Sequence, residues 1–170
     1  NSHNYHIGTL GTKGNRAANF AIQNSDLVIG FGCRMSVPLT GFEYHTFARE
    51  AKICIIDINK SEHKQDTIRI DSFINQDLSL LVPKLPRIDN QSKWKKWLKK
   101  TMEWKKNWPV CNDYQRDDSN GINLYHFYEI FNKYNDISSV VVADAGSAGY
   151  ASAQSVKIRK NQRFVMPGGQ

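Results

Sequence analysis

Two short apolar runs, "DLVIGFG" (26–32) and "KICIIDI" (52–58), constrain the fold of this chain more than any other feature. Each is rich in β-branched residues and too short for a core helix, so both read as buried strands. Between them lie Gly41 and a segment from Tyr44 to Glu50 that reads as a helix. Strand, helix, strand is the βαβ unit, and its strands are parallel because the crossover returns the chain to the same end of the sheet. Upstream, "GTLGTKGNRAANFAIQNS" begins glycine-rich and turns helical, with Ala17, Ala18, Ala21 and Ile22 as its buried stripe. Downstream, a third strand is expected near Thr67 to Ile70 and a helix near Gln76 to Leu81, before the two prolines of "VPKLPRIDN" break the pattern.

The second half repeats the alternation on a smaller scale. Asn123 is placed to cap a helix running to about Lys133, and "SSVVVADAGSAGYASAQ" (138–154) then reads as a strand buried on both faces, a turn and a helix of small residues. Joining the halves is "QSKWKKWLKKTMEWKKNW" (91–108), with seven lysines among four tryptophans. Trp94, Trp97, Leu98, Thr101, Trp104, Lys105 and Trp108 recur at helical spacing, which predicts an amphipathic helix whose tryptophans pack on a neighbour while the lysines stay solvated. Lysine without arginine forks or interleaved glycine and aromatic residues is poor equipment for reading bases, so neither nucleic acid nor an acidic membrane is expected as partner, despite a net charge of +7. After it, "WPVCNDYQRDDSNG" reads as turn-rich and polar. The fold class is therefore α/β, built of parallel-sheet, Rossmann-like βαβ units around a linker helix, with an incomplete second α/β unit.

A chain of 170 residues holds one good core or two small ones. No apolar run approaches the roughly 20 residues that cross a bilayer, and no signal-peptide pattern opens the sequence, so the expected location is cytoplasmic. Cys33, Cys54 and Cys111 are widely spaced without a C-x-x-C pair, which indicates neither a disulfide framework nor a zinc site. His3, His6, His45, His63 and His126 lack metal-ligand spacing, and no nucleophile–base pair stands out.

Two constellations carry chemistry. Gly8, Gly11 and Gly14 form a G-x-x-G-x-x-G run that differs in spacing from the dinucleotide fingerprint. With Lys13 and Arg16 for phosphate and Asp57 at a strand end for a ribose hydroxyl, it allows a stand-alone nucleotide-binding domain; the competing reading is a set of glycines that only turn the chain. The second is the end of the Val140 to Ala143 strand at Asp144, Gly146 and Ser147. Ligands of open α/β sheets sit beyond such ends, where glycine admits close approach and a helix start offers N–H groups to an anion, although a packing turn needs the same small residues.

The residues from "GTLGTKGNRAANFAIQNSDLVIGFGCR" through "TG" and "KICIIDINKSE" resemble the second half of the central domain of thiamine-diphosphate-dependent enzymes of the acetolactate synthase type. "WKKNWP" resembles the helix and proline that follow it, and "VVVADAGSAGYASAQ" with "QRFVMPGGQ" resembles the opening of that family's diphosphate-binding domain. The resemblance implies a partial central domain over 1–85, a linker over 86–121 and the start of the diphosphate-binding domain over 122–170. It also implies a larger homo-oligomeric parent that uses thiamine diphosphate and Mg2+ on 2-keto acids, the thiazolium accepting the electrons released on decarboxylation before a carbon–carbon bond forms. By position, Ala145, Gly146, Ser147 and Ala148 match the stretch that touches the diphosphate, while Asp144 is expected to hold the turn. The family's G-D-G through N-N segment for magnesium has no counterpart here, nor has the activating glutamate, so the expectation is a fragment that does not catalyse alone. A non-enzymatic basic interaction module built on the Lys/Trp helix is the remaining alternative. Acetolactate synthases also bind FAD at the central domain, near the positions of Gly8, Gly11, Gly14 and Arg34. "RMSVPLTG" keeps Arg34 and the Thr40-Gly41 pair of their pattern but not the acidic pair and second arginine.

Overall fold

The computed structural model describes residues 3–64, 67–86, 91–136 and 138–167. Along the chain the elements are α1 (Arg16–Gln23), β1 (Leu27–Phe31), α2 (Val37–Thr40), β2 (Lys52–Asp57), β3 (Ser72–Asn75), α3 (Leu78–Leu81), α4 (Lys95–Asn107), α5 (Asp113–Arg116), α6 (Leu124–Tyr134), β4 (Val140–Val142), α7 (Ser147–Ser155) and β5 (Arg163–Val165). The strands β1, β2 and β3 form one parallel sheet in that order, and β4 and β5 pair parallel in a second. This is the α/β architecture expected of the βαβ pattern.

In the first sheet Val28 lies opposite Ile53, Gly30 opposite Ile55, and Ile55 opposite Phe73. These face Met35, Phe47, Ala48, Ala51 and Ile68, which close the core over one side. A side chain on Gly30 would meet Ile55 Cδ1 and Met35 Cε at 2.8 Å, so that close packing requires glycine. The other face is only partly covered: Ile56 of β2 is buried there, whereas Leu27 is 53% exposed and Ile29 and Phe31 are open beside it. Likewise Val141 is buried, whereas Val140 and Val142 are 57% and 72% exposed. The strand buried on both faces expected of Val140 to Ala143 is therefore not found, and β1, expected as a buried strand, is likewise open on one face.

Other expectations move for local reasons. Tyr44 to Glu50 forms only a single 3₁₀ turn, Tyr44–Thr46, since Phe47 turns extended and Ala48 adopts φ 45° to send both side chains into the core. The third strand lies at Ser72–Asn75 and not at Thr67 to Ile70: Ile68 and Ile70 serve the core, and pairing begins where the Asp71 carboxylate accepts the Ile53 N–H at 2.8 Å. The helix expected over Gln76 to Leu81 is the four-residue α3, capped by Asp77 accepting from the Ser79 N–H. Of "VPKLPRIDN", residues 87–90 lie outside the described residues.

The Lys/Trp helix forms as α4, preceded by a 3₁₀ turn at Gln91–Trp94. It packs on α1 through Phe20, which meets Trp108 edge-on at 5.0 Å and Trp104 at 6.0 Å. Trp94, Trp97 and Trp108 nevertheless remain partly exposed. The polar segment after α4 contains a feature the composition hid: Asn112 and Gln115 cap α5 reciprocally. That helix presents Arg116 to Glu129 of α6 in a two-pronged pair at 2.8 and 2.9 Å. Asn123 caps α6 by accepting from the Tyr125 N–H, as its type predicts.

Candidate diphosphate-binding turn

The turn between β4 and α7 is built from its small residues. Asp144, Ala145, Gly146 and Ser147 are all exposed, and Ala148 is half-buried. Gly146 has φ 73° and ψ −146°, a backbone region essentially confined to glycine, and a Cβ there would meet nothing within 4 Å. This glycine is needed for the path of the chain and leaves open space over the turn. The Asp144 carboxylate accepts the Ala145 N–H at 2.7 Å, which fixes the turn as expected of Asp144 and takes the Ala145 donor out of play. No side chain caps α7, so its first-turn N–H groups, beginning with Ser147, have no side-chain acceptor and point with the positive end of the helix dipole. An anion with several oxygens fits such a place, and the Ser147 hydroxyl adds a donor.

The helix carrying the turn is held from behind. Tyr128 Oη of α6 donates to the Ala148 carbonyl at 3.3 Å, and Asn132 Nδ2 donates to the Ser155 carbonyl at 2.9 Å. Gly149 passes so close to the Asp144 carbonyl that a Cβ would lie 2.5 Å from its oxygen. Tyr150, one helical turn on from Gly146, has Lys13 Nζ of the glycine run 5.0 Å from its ring centre. The two candidate constellations thus adjoin, and Lys13 lies over a ring where a phosphate contact was expected.

The glycine run is closed on itself. The Thr9 N–H donates to Asn15 Oδ1 at 2.6 Å and the Gly11 N–H to Asn19 Oδ1 at 2.9 Å. The Thr12 N–H donates to the Pro38 carbonyl at 2.8 Å and the Gly14 N–H to the Gly11 carbonyl at 2.9 Å. A phosphate cradle needs such groups free and convergent. Asn15 and Asn19, four apart at the start of α1, are the residues that sequence reasoning missed; asparagine just after a glycine run was the available signal.

A cleft of about 680 Å³ opens at the far end of α7, lined by His6, Trp108, Val110, Tyr125, Ser155 and Ile158 among others. Three of its cations are engaged: Lys105 Nζ donates to the His6 carbonyl at 2.7 Å, Arg116 holds Glu129, and Arg159 donates to the Asn132 carbonyl at 2.9 Å. Burial raises the thiol pKa of Cys33, with Asp57 adding to it, and burial likewise raises that of Cys111, so neither is an activated nucleophile. Cys54 is half-buried. Among the described residues no three His, Cys, Asp or Glu side chains converge on a metal position, and no helix is long and apolar enough to cross a membrane. The end of "QRFVMPGGQ", residues 168–170, lies outside the described residues.

Fold and turn define an α/β protein in which β4 ends in an open, small-residue turn at the uncapped start of α7. The sequence profile of the thiamine pyrophosphate enzyme central domain matches residues 1–85, half of the chain, and the chain belongs to that family. It is 37% identical over 90 residues to the acetolactate synthase isozyme 2 large subunit of Escherichia coli, covering 53% of this chain and 16% of that protein. It is 30% identical over 173 aligned residues to a probable acetolactate synthase large subunit of Methanocaldococcus jannaschii, covering 96% of this chain and 28% of that protein. Over 96 residues it is 34% identical to 3D-(3,5/4)-trihydroxycyclohexane-1,2-dione hydrolase of Bacillus cereus, covering 55% of this chain and 15% of that protein. The chain thus spans well under a third of these curated relatives.

Proposed function

We propose that this chain is part of a thiamine-diphosphate-dependent enzyme of the acetolactate synthase type, acting on 2-keto acids by decarboxylation and carbon–carbon bond formation. The observation that carries the reading is the uncapped start of α7 behind the open Gly146 turn, in a chain similar to acetolactate synthase subunits over 96% of its length. Gly146 admits the diphosphate to the backbone, the N–H groups of Ser147 and Ala148 with the Ser147 hydroxyl donate to its oxygens, and Asp144 keeps the turn in shape. Ala145 contributes position and space, since its N–H is taken by Asp144. The cofactor supplies the electron sink. Mg2+ belongs to the proposal as the diphosphate's counter-ion, held by residues outside this chain.

Residues 1–85 are assigned as the partial central domain, 86–121 as the linker and 122–170 as the start of the diphosphate-binding domain. A cytoplasmic homo-oligomer with small-molecule substrates, and without nucleic-acid or membrane partners, completes the proposal; the free cysteines accord with a reducing compartment. Calorimetry tests it: the full-length enzyme should bind thiamine diphosphate with a divalent cation, and the 170-residue chain weakly or not at all. Tight binding by the chain alone would show that the site is misplaced.

A further inference from the structure

We propose that the crevice at the carboxyl ends of β1 and β2 is closed by the chain's own side chains, so that the enzyme carries no flavin or other dinucleotide on its central domain. The proposal rests on the family reading only for the cofactor it rules out.

A dinucleotide in an open parallel sheet needs three things at the strand ends: free N–H groups for the diphosphate, glycines whose missing side chains admit it, and an acid free for a ribose hydroxyl. Here each is used internally. The N–H groups of Thr9, Gly11, Thr12 and Gly14 already have acceptors. Within the glycine run that space is filled by the chain: a Cβ on Gly8 would strike Asn15, one on Gly11 the Pro38 carbonyl, and one on Gly14 the Thr9 carbonyl. Asp57, the acid at the end of β2, accepts the Asn59 N–H at 2.8 Å through one carboxylate oxygen, and the other faces His63 Nε2 at 3.4 Å. The His63 side chain is 4% exposed and packs on Phe73 with ring centres 5.4 Å apart, so it cannot swing out without opening the core. Asn75 Nδ2 donates to the Asp57 and Ile58 carbonyls at 2.9 and 2.8 Å. Above them Arg34 Nε meets Glu62 Oε1 at 2.6 Å, tying the segment after β1 to the Lys60–Lys64 turn after β2. Arg34, which the sequence offered for a flavin, is paired with Glu62, five residues past the end of β2.

The test uses the full-length enzyme purified from flavin-replete cells. Flavin absorbance of the supernatant after heat release gives the content carried from the cell, and FAD and NAD+ titrations followed by tryptophan fluorescence give any reversible binding. Thiamine diphosphate binding is measured by calorimetry on the same preparation, so failure of the family reading shows separately. The expected result is background flavin and no saturable change with either dinucleotide. One flavin per chain, or saturable FAD or NAD+ binding that is lost in Asp57→Asn, overturns the proposal.

Discussion

Gly146→Ala isolates the backbone of the diphosphate turn from every packing effect. At φ 73° and ψ −146° the new methyl group would meet no atom within 4 Å, so the whole perturbation is torsional. Holding an L-residue in such a region costs about 1–3 kcal/mol. The protein can bear that cost in either of two ways. If the turn keeps its shape with and without cofactor, stability falls by the full amount. If it relaxes in the free enzyme, the first-turn N–H groups of α7 swing away, and binding must restore the strain; affinity then falls by roughly five- to 150-fold, the same free energy expressed as an equilibrium constant. The two losses share one source, so their sum should lie at about 1–3 kcal/mol. Gly41→Ala is the control, with φ 82° and an equally open Cβ position but a place at the end of α2, away from the turn. It should lower stability and leave affinity unchanged. Calorimetric titration with thiamine diphosphate, together with thermal unfolding in its presence and absence, measures both quantities in the full-length enzyme. Gly146→Ala with unchanged melting and unchanged affinity would refute the assignment of strain to this turn.

Ser147→Ala should weaken thiamine diphosphate binding roughly tenfold or less, because the backbone N–H remains, while Ser147→Asp should cost ten- to a hundredfold or more by setting a carboxylate beside phosphate; titration of both ranks them, and equal affinities would contradict a diphosphate there. Asp57 is held below the usual carboxylate range, first by the Asn59 N–H and then by His63, so its contribution is present above about pH 4 and is lost as pH falls through its folded value. Asp57→Asn should therefore destabilise at neutral pH and converge on the wild type in acid, as denaturant midpoints across that range would show. Phe20→Ala removes the partner of Trp104 and Trp108 and, for a ring partly exposed, should destabilise by about 2–3 kcal/mol, with a rise in exposed-tryptophan fluorescence. The lysine face of α4 should not hold DNA at physiological salt; micromolar binding that falls steeply with added salt would overturn the solvated-face reading.

The strands β1 and β2 were legible because their apolar runs have no other use in so short a span. β3 was not, since Ile68 and Ile70 look more strand-like than "SFIN", and only pairing with β2 decides which segment enters the sheet. One-sided burial was hidden as well: "LVIGF" and "VVV" are apolar at every position, so their pattern carries no sign of which face is open. At the candidate site, Asp144, Gly146 and Ser147 announced a strand-to-helix turn by residue type. The closure of the glycine run did not, because it depends on where the side-chain amides of Asn15 and Asn19 fall once α1 has formed.

The same closure has a consequence for motion. A loop with three glycines in seven residues would ordinarily exchange its amide hydrogens with solvent as fast as an unfolded peptide. Here the amides of Thr9 and Gly11 are held by side chains of Asn15 and Asn19, at the start of α1, and that of Thr12 by the backbone of α2. These hydrogens exchange when the Asn15 and Asn19 side chains, or the backbone of α2, release them. Loop and helix start therefore open and close as one cooperative unit, and the most glycine-rich segment of the chain belongs among its slowly exchanging parts.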